Sequence, residues 1–390
     1  MPNQQTLVRG PFMGVVSDLR SPEGPNNDFD DLVNFFVRKG VVMTRPRLNP
    51  FTSDAALAQQ VTAIGSFKDA NSNWHTYKLQ DSQNAPTIRS SASFLRPGGP
   101  PYNWDPLSMP SLPTGSMDPP TNRYQTATIQ SQVYFCNGGY PVMYLDGSNA
   151  VQIAGDVPGT AKFITVNANH LIIAATFEPA IGNAGATNFP RRVRWSGVNN
   201  PQEWITTTDF TAGSNDLLDV PDDITGLNTL GRNTYIWRTN GISVMSPTGQ
   251  GLSPFFFENY SVSEDGIGNV FPYCLATYGN QCMFVARDDV YLFDGTSFTS
   301  TTGVSTSQVG GSNRRRIFND LALASISPAP WAKIIPNWTL GFDMLCYVLS
   351  MIRLDGTVIT WIYTFDDGQW TRFSSSSGLP TAVNSLVSIA

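Results

Sequence analysis

Histidine is nearly missing from this chain, with only His75 and His170 in 390 residues. Neither has a second histidine, a cysteine pair or a glutamate at ligand spacing, so no metal site is expected. A Ser-His-Asp triad has almost nothing to be built from, and no G-x-S-x-G elbow occurs. Cysteine is sparse too: Cys136, Cys274, Cys282 and Cys346 form no C-x-x-C pair. Three of them lie in apolar runs (VYFC, QCMF, MLCYVL), the setting of buried, reduced thiols in a chain folded in cytoplasm rather than of disulfides. Charged residues are 14% of the chain, net charge is −6 and the pI is near 4.9. That charge content is well below the usual quarter or so, and its sign offers no basic field for gripping nucleic acid. No apolar run approaches about eighteen residues, so no transmembrane helix and no membrane insertion are expected. The start, MPNQQTLVRGPFMGVVSDLR, lacks a basic region followed by an apolar core, so no secretory signal is expected.

Helical periodicity is also hard to find, and what replaces it is a β pattern. The chain has 33 Gly and 28 Pro, is 41% hydrophobic and 12% aromatic, and from residue 60 onward shows short alternating runs bounded by Gly, Asn, Asp and Ser. One unit recurs: an apolar strand, a tight turn, then a strand that ends in Asp-Gly or a similar turn. It is clear in SQVYFCNGGYPVMYLDGS (131–148), QCMFVARDDVYLFDGTSF (281–298) and LCYVLSMIRLDGTVITWIYTFDDGQWTRF (345–373). Weaker copies are HLIIAATFEP with RVRWSGVNNP, NTYIWRTNGISVMSPTG, and VTAIGSFKDANSNWHTYKL. About six such hairpins, at irregular spacings of roughly 40 to 65 residues, fit four-stranded blades with unequal loops. The expected fold is all-β, a β-propeller of about six blades, with two β-sandwich domains as the alternative. Residues 1–50 read as an N-terminal arm that carries the only short helix and a blade-closing strand, TLVRGPFMGVV, for pairing near TWIYTF. Residues 51–390 read as the propeller. Within them, 93–124 is so rich in Pro, Gly and Ser that it reads as a long extended loop or arm.

Chemistry-bearing residues are few. The acidic pairs Asp30-Asp31, Asp222-Asp223, Asp288-Asp289 and Asp366-Asp367 would matter in a glycosidase, which sets two carboxylates across a pocket. Most sit in turn contexts, where Asp serves the backbone. GIG at 266–268 is too short for a phosphate loop and reads as a turn. Catalytic residues, cofactors and metals are therefore not expected. Carbohydrate binding would need exposed aromatic platforms such as Trp74, Trp104 or Trp370. Two arginine clusters remain, Arg191-Arg192-Arg194 and Arg314-Arg315-Arg316. Arginine forks bind phosphate well, but in an acidic chain they read first as salt-bridged subunit contacts or solvated loops, GSNRRRIFND as a loop between blades. In RRVRWSGVNNPQEW (191–204), Trp195 and Trp204 read as packing residues and Gly197 to Pro201 as a hairpin connection.

The order of motifs resembles a known family. GLNTLGRNTYIWRTNGISVMSPTGQ, followed by FFFENYSVSEDGIGNVFPYCLATYGNQCMFVARDDVYLFDGTSF, is similar to the propeller-forming tail hub or nozzle proteins of short-tailed bacteriophages, also called phage stabilisation proteins. The opening MPNQQTLVRGPF and the turn in RWSGVNNPQEW share the pattern. The resemblance covers most of 1–20 and 125–375. It implies a structural, non-enzymatic virion tail component assembled in the host cytoplasm. It also implies a homo-oligomer, a hexamer, below the tail adaptor and portal, which holds tail fibres or spikes and passes DNA without binding it tightly. Under it, Arg191, Arg192, Arg194, Arg314, Arg315, Arg316 and Trp104 are the candidate inter-subunit or partner contacts.

Overall fold

A computed structural model of the chain describes residues 35–38, 41–44, 60–81, 91–95, 104–110, 123–155, 159–178, 187–219, 221–260, 266–302, 312–326, 329–335, 345–366 and 368–374. Their contacts divide into two compact units, Pro50–Pro272 and a second made of Met1–Asn49 with Tyr273–Ser388.

The N-terminal hairpin of the second unit comes first in the chain, with β1 (Phe35–Arg38) paired antiparallel to β2 (Val41–Thr44). The first unit holds four sheets, each a four-stranded antiparallel meander of consecutive strands. Sheet one is β3 (Gln60–Lys68), β4 (Trp74–Asp81), β5 (Ser91–Leu95) and β6 (Trp104–Pro106). Sheet two is β7 (Gln125–Ile129), β8 (Gln132–Cys136), β9 (Met143–Leu145) and β10 (Gln152–Ile153). Sheet three is β11 (Thr160–Asn167), β12 (His170–Glu178), β13 (Thr187–Trp195) and β14 (Gly213–Asp216). Sheet four is β15 (Ile224–Leu230), β16 (Asn233–Arg238), β17 (Ile242–Gln250) and β18 (Ser253–Tyr260).

Alternation of side chains along a strand explains how these sheets stack. In β8, Val133 and Phe135 enter a core shared with Phe67, Tyr77, Leu79 and Phe94 of sheet one. Their neighbours Tyr134 and Cys136 point the other way, into a core shared with Ile164, Leu171 and Ile173 of sheet three and with Trp204. A strand buried on both faces must be apolar at nearly every position, which is why QVYFC reads as a continuous run. Each such large side chain stabilises the stack by roughly 1.5–3 kcal/mol. Sheets three and four meet through Trp195, whose ring lies 5.5 Å from Phe255 and 5.9 Å from Phe257. Asn167 adds polar ties, donating to the Arg232 carbonyl at 2.9 Å and to Thr234 at 3.0 Å.

The second unit holds sheet five, of β19 (Ala276–Tyr278), β20 (Gln281–Val285), β21 (Val290–Phe293) and β22 (Phe298–Ser300). After it come helix α1 (Ser312–Ala322) and sheet six, of β23 (Trp331–Ile335), β24 (Cys346–Ile352), β25 (Val358–Thr364) and β26 (Gln369–Ser374). The Tyr347 hydroxyl donates to the Cys274 carbonyl at 2.6 Å, and the Trp370 indole to the Thr301 carbonyl at 3.0 Å. Helix α1 docks by burying Ile317 and Leu321, and its Asp320 carboxylate accepts from the Trp361 indole at 2.9 Å. Strand β1 runs alongside β26.

The Asp-Gly turns work as their chemistry requires. Gly147 and Gly295 both sit at φ 94°, and the preceding Asp146 and Asp294 accept the backbone N–H two residues on, at 2.9 and 2.8 Å. All four cysteines are buried and free, and burial pushes the Cys136 thiol well above its usual range.

Four stretches of the chain depart from the expected pattern. Within the arm at 20–50 the described residues, 35–38 and 41–44, are strands β1 and β2 and not the expected helix: FFVR and VVMT are rich in β-branched residues and flank a Lys-Gly pair. Among the described residues a helix lies at 312–322, with Arg314, Arg315 and Arg316 on it rather than on an inter-blade loop, because Ile317 and Leu321 supply a four-residue apolar spacing. Inside 93–124, residues 93–95 end β5 and 104–106 form β6, whose Pro106 is tolerated because β6 is the edge strand of sheet one. Finally, Gly197 to Pro201 is only the first part of the β13–β14 connection: Gly197 bridges Asn200 in a tight turn, and the chain reaches β14 only at Gly213. The TLVRGPFMGVV segment and Asp30-Asp31 lie outside the described residues.

Candidate functional site

The first arginine cluster is engaged within sheet three and its connections. Strand pairing sets Arg192 opposite Asp216, and its guanidinium holds that carboxylate through Nε at 2.6 Å and Nη2 at 2.7 Å. Its Nη1 reaches Glu178 at 3.0 Å, and its face lies 3.5 Å from the Phe189 ring centroid. Arg194 pairs with the same Glu178 at 3.2 Å and donates to the Trp204 carbonyl at 3.3 Å. Arg191 lies 3.8 Å from Asp223 and is half-buried. The Asp216 hydrogen bonds, against some burial, keep Arg192 firmly protonated. The Arg192 hydrogen bond holds the Asp216 carboxyl below the usual carboxylate range. Trp195 and Trp204 are both buried packing residues.

The other sequence candidates are scattered. The charge of Arg314 acts on Asp289, while Arg315 is exposed and Arg316 half-buried on α1. Trp104 is half-buried on the outermost strand of sheet one, with the Lys78 ammonium 4.8 Å from its ring centroid. Of the expected aromatic platforms, Trp74 is 73% exposed, but Trp370 is 1% exposed and cannot receive a ligand. His75 contacts Asp69 at 2.9 Å beside a turn, and His170 contacts the Ser196 carbonyl at 2.6 Å. Desolvation lowers the pKa of His170. Asp289 is buried, accepting from Thr302 at 2.6 Å and from the Val290 N–H at 2.7 Å, and desolvation raises its pKa. Among the described residues no group of three His, Cys, Asp or Glu could hold a metal ion.

A site that the sequence reading missed lies in the first unit. An open cleft of about 340 Å³ is lined by Asn215, Leu217 and Asp219 from β14 and the chain after it, and by Ser243, Phe257 and Asn259 from β17 and β18, with Asp216, Leu218 and Glu258 between them. Register shows which side chains face it. Val193 pairs with Asn215 and Trp195 with Gly213, so Asn215 shares the Trp195 face of sheet three. Ser243 pairs with Asn259 and Met245 with Phe257, so these side chains share the opposing face of sheet four. Asp216 and Glu258 alternate away and contribute at the rim.

Next to these side chains, on the Ser243 face of sheet four, stands Arg238, 2% exposed and outside the cleft lining. Its Nη2 donates to Asp219 Oδ1 at 2.8 Å and to the Ser243 hydroxyl at 2.7 Å, and its Nε and Nη1 have no acceptor. Burial by itself would raise the Asp219 carboxyl, but hydrogen bonds from Arg238 and Asn259 outweigh it and hold the group below its ordinary range. Within the cleft the Ser243 hydroxyl also donates to the Asn259 amide oxygen at 3.2 Å, so Asp219, Ser243 and Asn259 form one network, each with hydrogen-bonding capacity left, and Asn215, Phe257 and Leu217 complete the lining. Sequence inspection separates Asn215 from Asn259 by a whole sheet. The one signal was Arg238, a charge that closes the apolar run YIW of β16.

The described residues therefore define an all-β chain of six serial four-stranded antiparallel sheets with a cleft of mixed polar and apolar lining. No family model and no curated protein matches the chain. Among solved structures it is similar to U3-55K, at 8% identity over 82% of each chain with a TM-score of 0.41. It is also similar to BamB from Moraxella catarrhalis, at 13% identity over 80% of this chain and 76% of that one, TM-score 0.36. A third is the SapL1 lectin in complex with alpha methyl fucoside, at 10% identity over 83% and 99%, TM-score 0.35. Likeness at these identities and scores carries no argument about what this chain does.

Proposed function

We propose that the chain is a non-catalytic binding scaffold, its six sheets the blades of a β-propeller, which takes a glycan in the cleft between β14 and β17–β18. The carrying observation is the composition of that cleft: Asn215, Ser243, Asn259 and Asp219 can match the alternating donors and acceptors of sugar hydroxyls, and Phe257 offers an apolar face to a ring. Its volume falls at the low end of the roughly 300–1,000 Å³ of small-molecule sites. A glycosidase needs one carboxyl held protonated, and the cleft's two aspartates, Asp216 and Asp219, are shifted the other way, below the usual range. Titrating the protein with a panel of oligosaccharides under NMR or calorimetry tests the proposal. Saturable binding is expected, with Phe257→Ala weakening it by about tenfold through loss of a ring contact. Binding that is unchanged in both Phe257→Ala and Asn259→Ala would show that the cleft is not the site.

A second reading, a virion tail hub of short-tailed phage type, is supported by the motif order described above, whose residues fall on consecutive hairpins from β15 to β22. It carries the expectations of a hexamer, of adaptor, portal and fibre partners, and of DNA passage. In that reading Arg191, Arg314, Arg315, Arg316 and Trp104, all at least partly solvent-accessible, remain the candidates for subunit or partner contacts, since Arg192 and Arg194 are engaged within the chain. Mass measurement by light scattering, with rings of six sought by electron microscopy, is its test. A monomer at high concentration that adds to no adaptor ring would end it.

A further inference from the structure

The cleft wall has two electrostatic layers. In front stands the Asp219 carboxylate, 35% exposed, with Glu258 exposed at the rim. Beneath it is the Arg238 guanidinium, on the same face of sheet four as Ser243 but buried and outside the cleft lining, which touches Asp219 and Ser243 through Nη2 alone. From a distance the pair is neutral. To a group in contact with Asp219 it is acidic, because Coulomb energy falls with distance and the carboxylate is the nearer charge. The Arg238 Nε and Nη1 are buried in protein, so no ligand in the cleft reaches them.

We infer that the cleft is charge-selective, taking neutral hexoses and rejecting uronic and sialic acids, and that Asp219 sets this choice; the inference rests on the glycan reading of the same cleft. A hydroxyl of a neutral sugar donates to the Asp219 carboxylate while a neighbouring hydroxyl accepts from the amide of Asn215 or Asn259. The apolar face of the ring lies against Phe257. An acidic sugar in the same pose sets carboxylate against carboxylate, and like charge placed against a ligand is an effective way to reject it. Asp219 is kept ionised for this role by Arg238 and Asn259, so the rejection operates throughout the neutral range.

The decisive variant is Asp219→Asn. It keeps an acceptor oxygen for Arg238 and nearly the same volume, removes the front charge, and leaves the guanidinium beneath it uncompensated. Wild type and D219N are titrated by NMR with paired methyl glycosides: glucoside and glucuronide, galactoside and galacturonide, mannoside and mannuronide. Wild type should prefer the neutral member of the pair it binds by at least about tenfold in Kd, and D219N should narrow or invert that preference. Equal or tighter binding of the acidic member by wild type overturns the inference and leaves the glycan reading standing. Absence of binding by every member overturns both. If D219N does not fold, wild type is titrated in rising salt. Screening should narrow the preference, and a preference that salt does not move overturns its assignment to charge.

Discussion

Replacing Glu178 by alanine removes the anion on which two arginines of the 191–194 cluster converge. Glu178 is 6% exposed and accepts from Arg192 at 3.0 Å, from Arg194 at 3.2 Å and from the Thr176 hydroxyl at 3.2 Å. In the variant Arg192 keeps both bonds to Asp216, so its charge stays compensated. Arg194 keeps only the Trp204 carbonyl, and its Nε already lacks an acceptor. One largely buried cation is left without an anion. Breaking a buried pair in this way costs about 3–5 kcal/mol. Because the Arg194 side chain is 17% exposed and partly hydrated, the lower end applies. A loss of about 3 kcal/mol corresponds to a Tm drop of roughly 6–12 °C for a unit of this size. Urea unfolding followed by tryptophan fluorescence reads it directly, since Trp195 and Trp204 lie in the affected region. A loss under about 0.5 kcal/mol, the value of a solvated surface pair, would refute the view that these arginines are structural. Additivity of Glu178→Ala with Arg194→Ala would do the same, because the reasoning demands coupling between them.

Asp320→Ala should be as costly as any change to helix α1. It strands the Arg372 guanidinium, held at 3.0 and 3.1 Å, and the Trp361 indole N–H; a drop of about 3 kcal/mol in thermal or urea unfolding is expected, while Asn313→Ala on the same helix should change little. Burial pulls the Lys333 ammonium down to about 8 from 10.5. Between those values the unfolded chain binds more protons than the folded one, so this residue makes stability rise with pH across that window. The difference in stability between wild type and Lys333→Met, measured from pH 7 to 10.5, should therefore shrink as pH rises; a difference independent of pH would contradict it.

Strand content was legible wherever a residue run carried its own turn. SQVYFCNGGYPVMYLDGS and QCMFVARDDVYLFDGTSF each contain two strands and an Asp-Gly turn, and both fall on consecutive strands of one sheet. The arm and α1 were not legible for opposite reasons. FFVRKGVVMT lacks a long alternating run, so it did not announce a hairpin. In SNRRRIFNDLA the three arginines mask an apolar spacing of only two residues, Ile317 and Leu321. The arginine cluster at 191–194 could be seen but not its partners, because Glu178 and Asp216 reach it only through the register of β12, β13 and β14. The cleft was illegible for the same reason. Its side chains come from two sheets, and none belongs to a pattern that sequence inspection would single out.

The two-sided burial of β8 limits how such a chain can change. Since Val133 and Phe135 belong to one core and Tyr134 and Cys136 to the next, β8 has no outer face to spare. A register slip of one residue would exchange the occupants of both cores at once, so it is penalised on each side. Loss of a single strand would likewise open two interiors rather than one. The unit that can be gained, lost or exchanged without exposing apolar surface is therefore the whole four-stranded meander, with variation between copies left to the connections that leave its outermost strand.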